Sequence, residues 1–73
     1  MTFEELLDKA CITVGFSEMV RIKLSNSLSA ETKKMVIKLS PEELGRLLKK
    51  ATDVVNHGSV ESIDTLVREQ VGR

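Results

Sequence analysis

Any fold for this chain must accommodate Ser40-Pro41-Glu42-Glu43-Leu44, which carries every signal of a helix start. The Ser40 hydroxyl is placed to accept from an orphan amide of the first turn. Pro41 falls at the first helical position, where a missing N–H is no loss. Glu43, three residues after Ser40, completes the spacing of a capping box. Glu42 and Glu43 also meet the positive end of the helix dipole. Leu44, Leu47, Leu48, Ala51 and Val55 then recur at three- and four-residue steps, predicting one buried helical face. Gly45 lies inside this helix and weakens it by about 1 kcal/mol relative to alanine. Asn56-His57-Gly58 supplies the stop, with Gly58 suited to the left-handed conformation.

The same grammar recurs along the chain. Thr2 and Glu5 have capping-box spacing, and Phe3, Leu6, Leu7, Ala10, Cys11 and Val14 follow the helical period up to Gly15. Ser17 is placed to cap a second helix whose face is Phe16, Met19, Val20 and Leu24, followed by a turn at Ser25-Asn26-Ser27. Ser29 caps a third, with Leu28, Thr32, Met35, Val36 and Leu39 in step. Ser59 is the expected cap of a fifth helix carrying Val60, Ile63, Leu66, Val67 and Val71. Cap, period and stop agree in each segment, so the expected fold is an all-α, compact bundle of about five short helices in a single domain over residues 1–73.

Two stretches point elsewhere. Val20-Arg21-Ile22-Lys23-Leu24 alternates apolar and basic residues, and Met35-Val36-Ile37-Lys38-Leu39 does so less cleanly. Both are rich in β-branched residues. The alternative fold is therefore α+β, with residues 19–25 and 34–40 forming a short hairpin or ribbon.

A chain of 73 residues buries only about 60% of its unfolded surface. With two aromatic residues, Phe3 and Phe16, its core rests on Leu, Val, Ile and Met, and a partner is a natural source of further stability. Eleven basic residues balance eleven acidic ones, which lacks the basic footprint of small nucleic-acid-binding domains and of polybasic membrane anchors. The single cysteine has no internal partner, the acidic start Met1-Thr2-Phe3-Glu4-Glu5 is unlike a signal peptide, and no apolar run reaches the roughly twenty residues of a membrane span. A soluble cytoplasmic protein is expected.

Little in the chain suits catalysis. Cys11 falls on an apolar helical face, where a thiol is ordinarily a small buried hydrophobe. His57 stands beside Gly58, positioned to cap helix-terminal carbonyls rather than to bind metal. No glycine-rich phosphate loop is present. No enzyme activity, cofactor or metal is expected.

Charge is unevenly placed. Residues 17–40 hold Arg21, Lys23, Lys33, Lys34 and Lys38 against Glu18 and Glu31, a net of plus three. Residues 1–16 carry minus two. Ile22 and Ile37 fit the buried face of neither segment. Together Arg21, Ile22, Lys23, Lys33, Lys34, Ile37 and Lys38 form the expected docking surface for an acidic protein partner.

Two resemblances bear on function. From Lys34 onward, Val36-Ile37-Lys38-Leu39, Pro41-Glu42-Glu43-Leu44, Gly58-Ser59 and Leu66-Val67-Arg68-Glu69 resemble a ribbon-helix-helix DNA-binding domain. That likeness implies a strand at 36–39 and places Lys34, Val36 and Lys38 in the major groove. It departs from the family in a long turn before the last helix and in an N-terminal segment of about 30 residues ahead of the strand; a neutral dimer also has little counterion-release energy to draw on. In length, intracellular profile and lack of a catalytic set, the whole chain is similar to small phage-encoded regulators that bind host RNA polymerase, of the inhibitor and antiterminator type. This second resemblance implies binding to the large polymerase subunits, inhibition of initiation by displacing the sigma factor, later suppression of termination, and residence in the host cytoplasm. The primary expectation is a non-enzymatic transcription regulator acting by protein–protein binding, with a ribbon-helix-helix repressor as the alternative.

Overall fold

The computed structural model describes residues 2–58 and 61–72. Five α-helices account for its regular structure: α1 (Phe3–Val14), α2 (Glu18–Ser27), α3 (Ala30–Val36), α4 (Pro41–Asn56) and α5 (Ile63–Val71). The all-α bundle is thus the observed fold, and the described residues contain no strand. Val20–Leu24 lies within α2, while Met35–Leu39 forms the end of α3 and the turn after it, so the α+β alternative is corrected. Capping decides the matter. The Ser17 and Ser29 hydroxyls accept from the amides of Val20 (3.3 Å) and Thr32 (3.2 Å), starting helices where alternation alone suggested strands.

The capping box at α4 is complete: the Glu43 amide donates to Ser40 Oγ at 3.2 Å, and the Ser40 amide donates to Glu43 Oε1 at 3.3 Å. At α1 the Glu5 amide donates to Thr2 Oγ1, but the Glu5 carboxylate returns to the Thr2 hydroxyl rather than its amide. Gly15 closes α1 in the left-handed conformation (φ 78°). At the end of α4, His57 Nδ1 lies 2.6 Å from the Asp53 carbonyl and caps it, and Gly58 follows with φ 91°.

Three local expectations are corrected. Ser25-Asn26-Ser27 is no turn; it is the last stretch of α2. The Ser27 hydroxyl donates to the Lys23 carbonyl at 2.7 Å, a back-bond that keeps serine within a helix, and the buried pair Leu24 and Leu28 holds this end on the core. Met19 does not share the buried face of Val20 and Leu24; it is 69% exposed. Helix α5 begins at Ile63 under a Ser62 cap, whose hydroxyl accepts from the Thr65 amide at 3.2 Å. The expected cap Ser59 and its neighbour Val60 lie outside the described residues.

The core is aliphatic. Leu6, Leu7, Leu44, Leu48, Val36 and Val67 are its largest fully buried side chains. The most extensive packing sets α1 against α4, and α5 rests on both α4 and α3. Gly45 makes the first of these contacts possible, since a β-carbon there would stand 3.0 Å from the Ala10 carbonyl oxygen and 3.0 Å from Val14 Cγ1. Its helix-weakening flexibility is therefore offset by close approach of two helices. Buried Thr32 shares a 3.0 Å hydrogen bond with Ser29 Oγ. Asp64 of α5 accepts from the Ser29 amide at 2.8 Å, tying the start of α3 to α5.

Candidate partner-binding surface

The seven residues of the expected surface divide among α2 (Arg21, Ile22, Lys23), α3 (Lys33, Lys34) and the turn that follows α3 (Ile37, Lys38). On α2, successive residues rotate about 100° around the helix axis, so Arg21, Ile22 and Lys23 leave it in three directions. Arg21 turns toward α1. Its guanidinium lies 3.6 Å from Glu4, 3.8 Å from Asp8 and 3.5 Å from Glu18, and its side chain is mostly buried. Ser25, one turn on, donates to the same Glu4 at 2.7 Å. Arg21 is thus a clasp between α1 and α2, surrounded by more negative charge than it carries. Lys23 turns the other way, to the groove that α2 forms with the end of α4 and the start of α5. Ile22 faces outward and is 46% exposed.

On α3 the grouping is tighter. Lys33 and Lys34 lie in the last turn of α3, and Ile37 and Lys38 in the turn that follows it. The Lys33 ammonium sits 5.3 Å from the centroid of the Phe3 ring, a cation–π contact that holds it against α1. Lys34, Ile37 and Lys38 are exposed, and neither lysine has an ion-pair partner among the described residues. Exposed Ile37 and two lysines without an ion-pair partner among the described residues are what remains of the expected surface.

Sequence reasoning overlooked a second basic pair. Arg46 and Lys50 stand one turn apart on α4 and line a groove of about 430 Å³ with Leu39, Leu47, Val71, Glu43 and Gln70. Their four-residue spacing beside Leu47 is visible in the sequence, but residues 41–73 sum to minus one, which hid the pair.

The titratable groups with shifted pKa values have structural explanations. Burial raises the Cys11 thiol above its usual value, with nearby Arg21 opposing and Asp8 reinforcing the shift. The Asp64 carboxyl is lowered, chiefly by the Ser29 amide hydrogen bond, then by Thr32, and also by the Ser29 side chain and Arg68, whose Nε is 3.4 Å away; burial opposes the shift. Among the described residues no cluster of His, Cys, Asp or Glu is built to hold a metal ion, and no helix is long and apolar enough to cross a membrane.

Comparison with protein-family models, with curated proteins and with solved structures gives no match to this chain.

Proposed function

We propose that this protein is a non-enzymatic regulator that acts by binding a protein partner, and that bacterial RNA polymerase is that partner. The observation carrying the binding reading is the end of α3 and the turn after it, where Lys34, Ile37 and Lys38 are all exposed and neither lysine has an ion-pair partner among the described residues. An apolar centre with a charged rim is how protein interfaces are commonly built. The state of Cys11 supports a non-catalytic role, because a buried thiol of raised pKa stays protonated and the thiolate is the nucleophile. The choice of polymerase rests on the likeness in size and character to phage regulators that bind its large subunits. On that reading the protein works in the bacterial cytoplasm, inhibits initiation by displacing the sigma factor, and suppresses termination at a later stage.

The test is a pull-down from nuclease-treated bacterial lysate with the tagged protein as bait. The large polymerase subunits are the expected catch, and Lys34→Glu with Lys38→Glu should reduce recovery without changing the fold. A catch lacking polymerase from both wild type and variants refutes the choice of partner. The ribbon-helix-helix alternative needs a strand at residues 36–39, and these form helix and turn. A duplex-DNA binding assay is therefore the control arm.

A further inference from the structure

Arg46 and Lys50 are exposed on α4, and neither has a carboxylate within ion-pair distance among the described residues. The groove they border is lined by Leu39, Leu47 and Val71, all half-buried against the core. Glu43 is the one acid among the described residues of that lining, and it accepts from the Ser40 amide in the capping box. The lining thus offers two cations without an ion-pair partner among the described residues, beside three half-buried apolar side chains.

That pairing discriminates among occupants. A nucleic-acid backbone draws its affinity from cations and gains little from leucines. An apolar ligand gains from the apolar side chains and nothing from the cations. A helix with an apolar stripe flanked by carboxylates uses both, through the helix-in-groove mode of recognition. We propose that the α4–α5 groove is a docking site for an acidic amphipathic helix of a partner protein. Its apolar face would lie on Leu39, Leu47 and Val71, with its carboxylates opposite Arg46 and Lys50. The inference rests on the protein-binding reading above, since Leu39 directly follows Lys38 of the turn after α3, and it specifies the chemistry of what binds.

The test is an NMR titration of the isotope-labelled protein, after a dilution series of the protein alone. The probe is a synthetic helical peptide of about 18 residues, long enough to hold some helix in isolation, with leucines on one face and glutamates beside them. The matching peptide with lysine for glutamate and a short DNA duplex are the comparisons. The acidic peptide should move the amides of Leu39, Arg46, Leu47, Lys50 and Val71, and the lysine peptide should not. Lys50→Glu should weaken the acidic peptide at least about tenfold and restore some binding of the lysine peptide, the signature of charge complementarity. Absence of shifts, shifts confined to other helices, or equal binding of both peptides overturns the proposal. So does movement of the same amides by DNA, or on dilution alone, which would assign the groove to a second copy of the chain. Polymerase capture without peptide binding overturns the groove alone, whereas peptide binding without polymerase capture overturns only the choice of polymerase.

Discussion

Gly45→Ala sets helix propensity against packing, and the structure decides the sign. In an isolated helix, alanine at this position would stabilise α4 by about 1 kcal/mol. Here the added methyl would meet two neighbours at 3.0 Å, the Ala10 carbonyl oxygen and Val14 Cγ1. The carbon–carbon contact with Val14 is optimal at roughly 3.5–4.0 Å, and 3.0 Å to the carbonyl oxygen is also closer than a side-chain carbon ordinarily comes, so both are compressed. A side chain such as Val14 can change rotamer, but the carbonyl oxygen moves only if α1 shifts on α4, and that contact is the most extensive in the fold. Overpacking of this kind costs about 1–3 kcal/mol. Setting the propensity gain against it leaves a net loss centred near 1 kcal/mol, a fall in Tm of about 4–8 °C for a domain of this size. Circular dichroism melts of wild type, Gly45→Ala, Val14→Ala and the double variant measure it. Val14→Ala removes one of the two contacts, so Gly45→Ala should be milder in that background by about 0.5–1 kcal/mol. A Gly45→Ala protein that melts above wild type would refute the close-approach argument.

Leu48 is fully buried, and Leu48→Ala should cost about 2–5 kcal/mol in urea unfolding; an unchanged midpoint would refute the assignment of the α4 face. Ser40→Ala should cost about 1 kcal/mol through the lost cap, read by the same assay. For Asp64 the folded pKa is lowered, so its stabilising effect is present above the unfolded value near pH 4 and is lost as pH falls through the folded value. Asp64→Ala should therefore lie about 1 kcal/mol below wild type at pH 6, with the two unfolding curves converging toward the acid end. Arg21→Ala should cost no more than about 1 kcal/mol, because the carboxylates around it are largely exposed, and a much larger loss would show that the clasp is misjudged.

The helices were legible wherever their signals were local. A serine or threonine followed by an acid three residues later, an apolar step of three or four, and a terminal glycine together describe α1 and α4 almost to the residue. Legibility failed where a tertiary contact outweighed a local preference. Ser25-Asn26-Ser27 has turn composition, but burial of Leu24 and Leu28 keeps the chain helical through it. Gly45 reads as a defect until the backbone of α1 is seen 3.0 Å from where its side chain would begin. No pattern within α4 reports which neighbour that helix will meet.

The binding surface was less legible than the fold, because charge sums along a chain ignore direction. The middle segment is basic by plus three, yet Arg21 faces three carboxylates, two of them on α1, and Lys33 lies over Phe3 of that same helix. Both were drawn toward the acidic, aromatic start of the chain, the segment whose composition is complementary to theirs. Lys34, Ile37 and Lys38 stayed outward because Thr32 and Val36 claim the opposite side of α3 for the core. The opposite error hid Arg46 and Lys50, which sit in a segment of net negative charge but on a helix face where Glu43 is committed to its cap. In a neutral protein of this size, opposite charges near one another in space become structural, and those left without a partner mark the surfaces that can recognise another molecule. By that criterion the outer side of α3 and the α4–α5 groove, and not the segment around Arg21, are where charge reversal should change binding while leaving stability almost untouched.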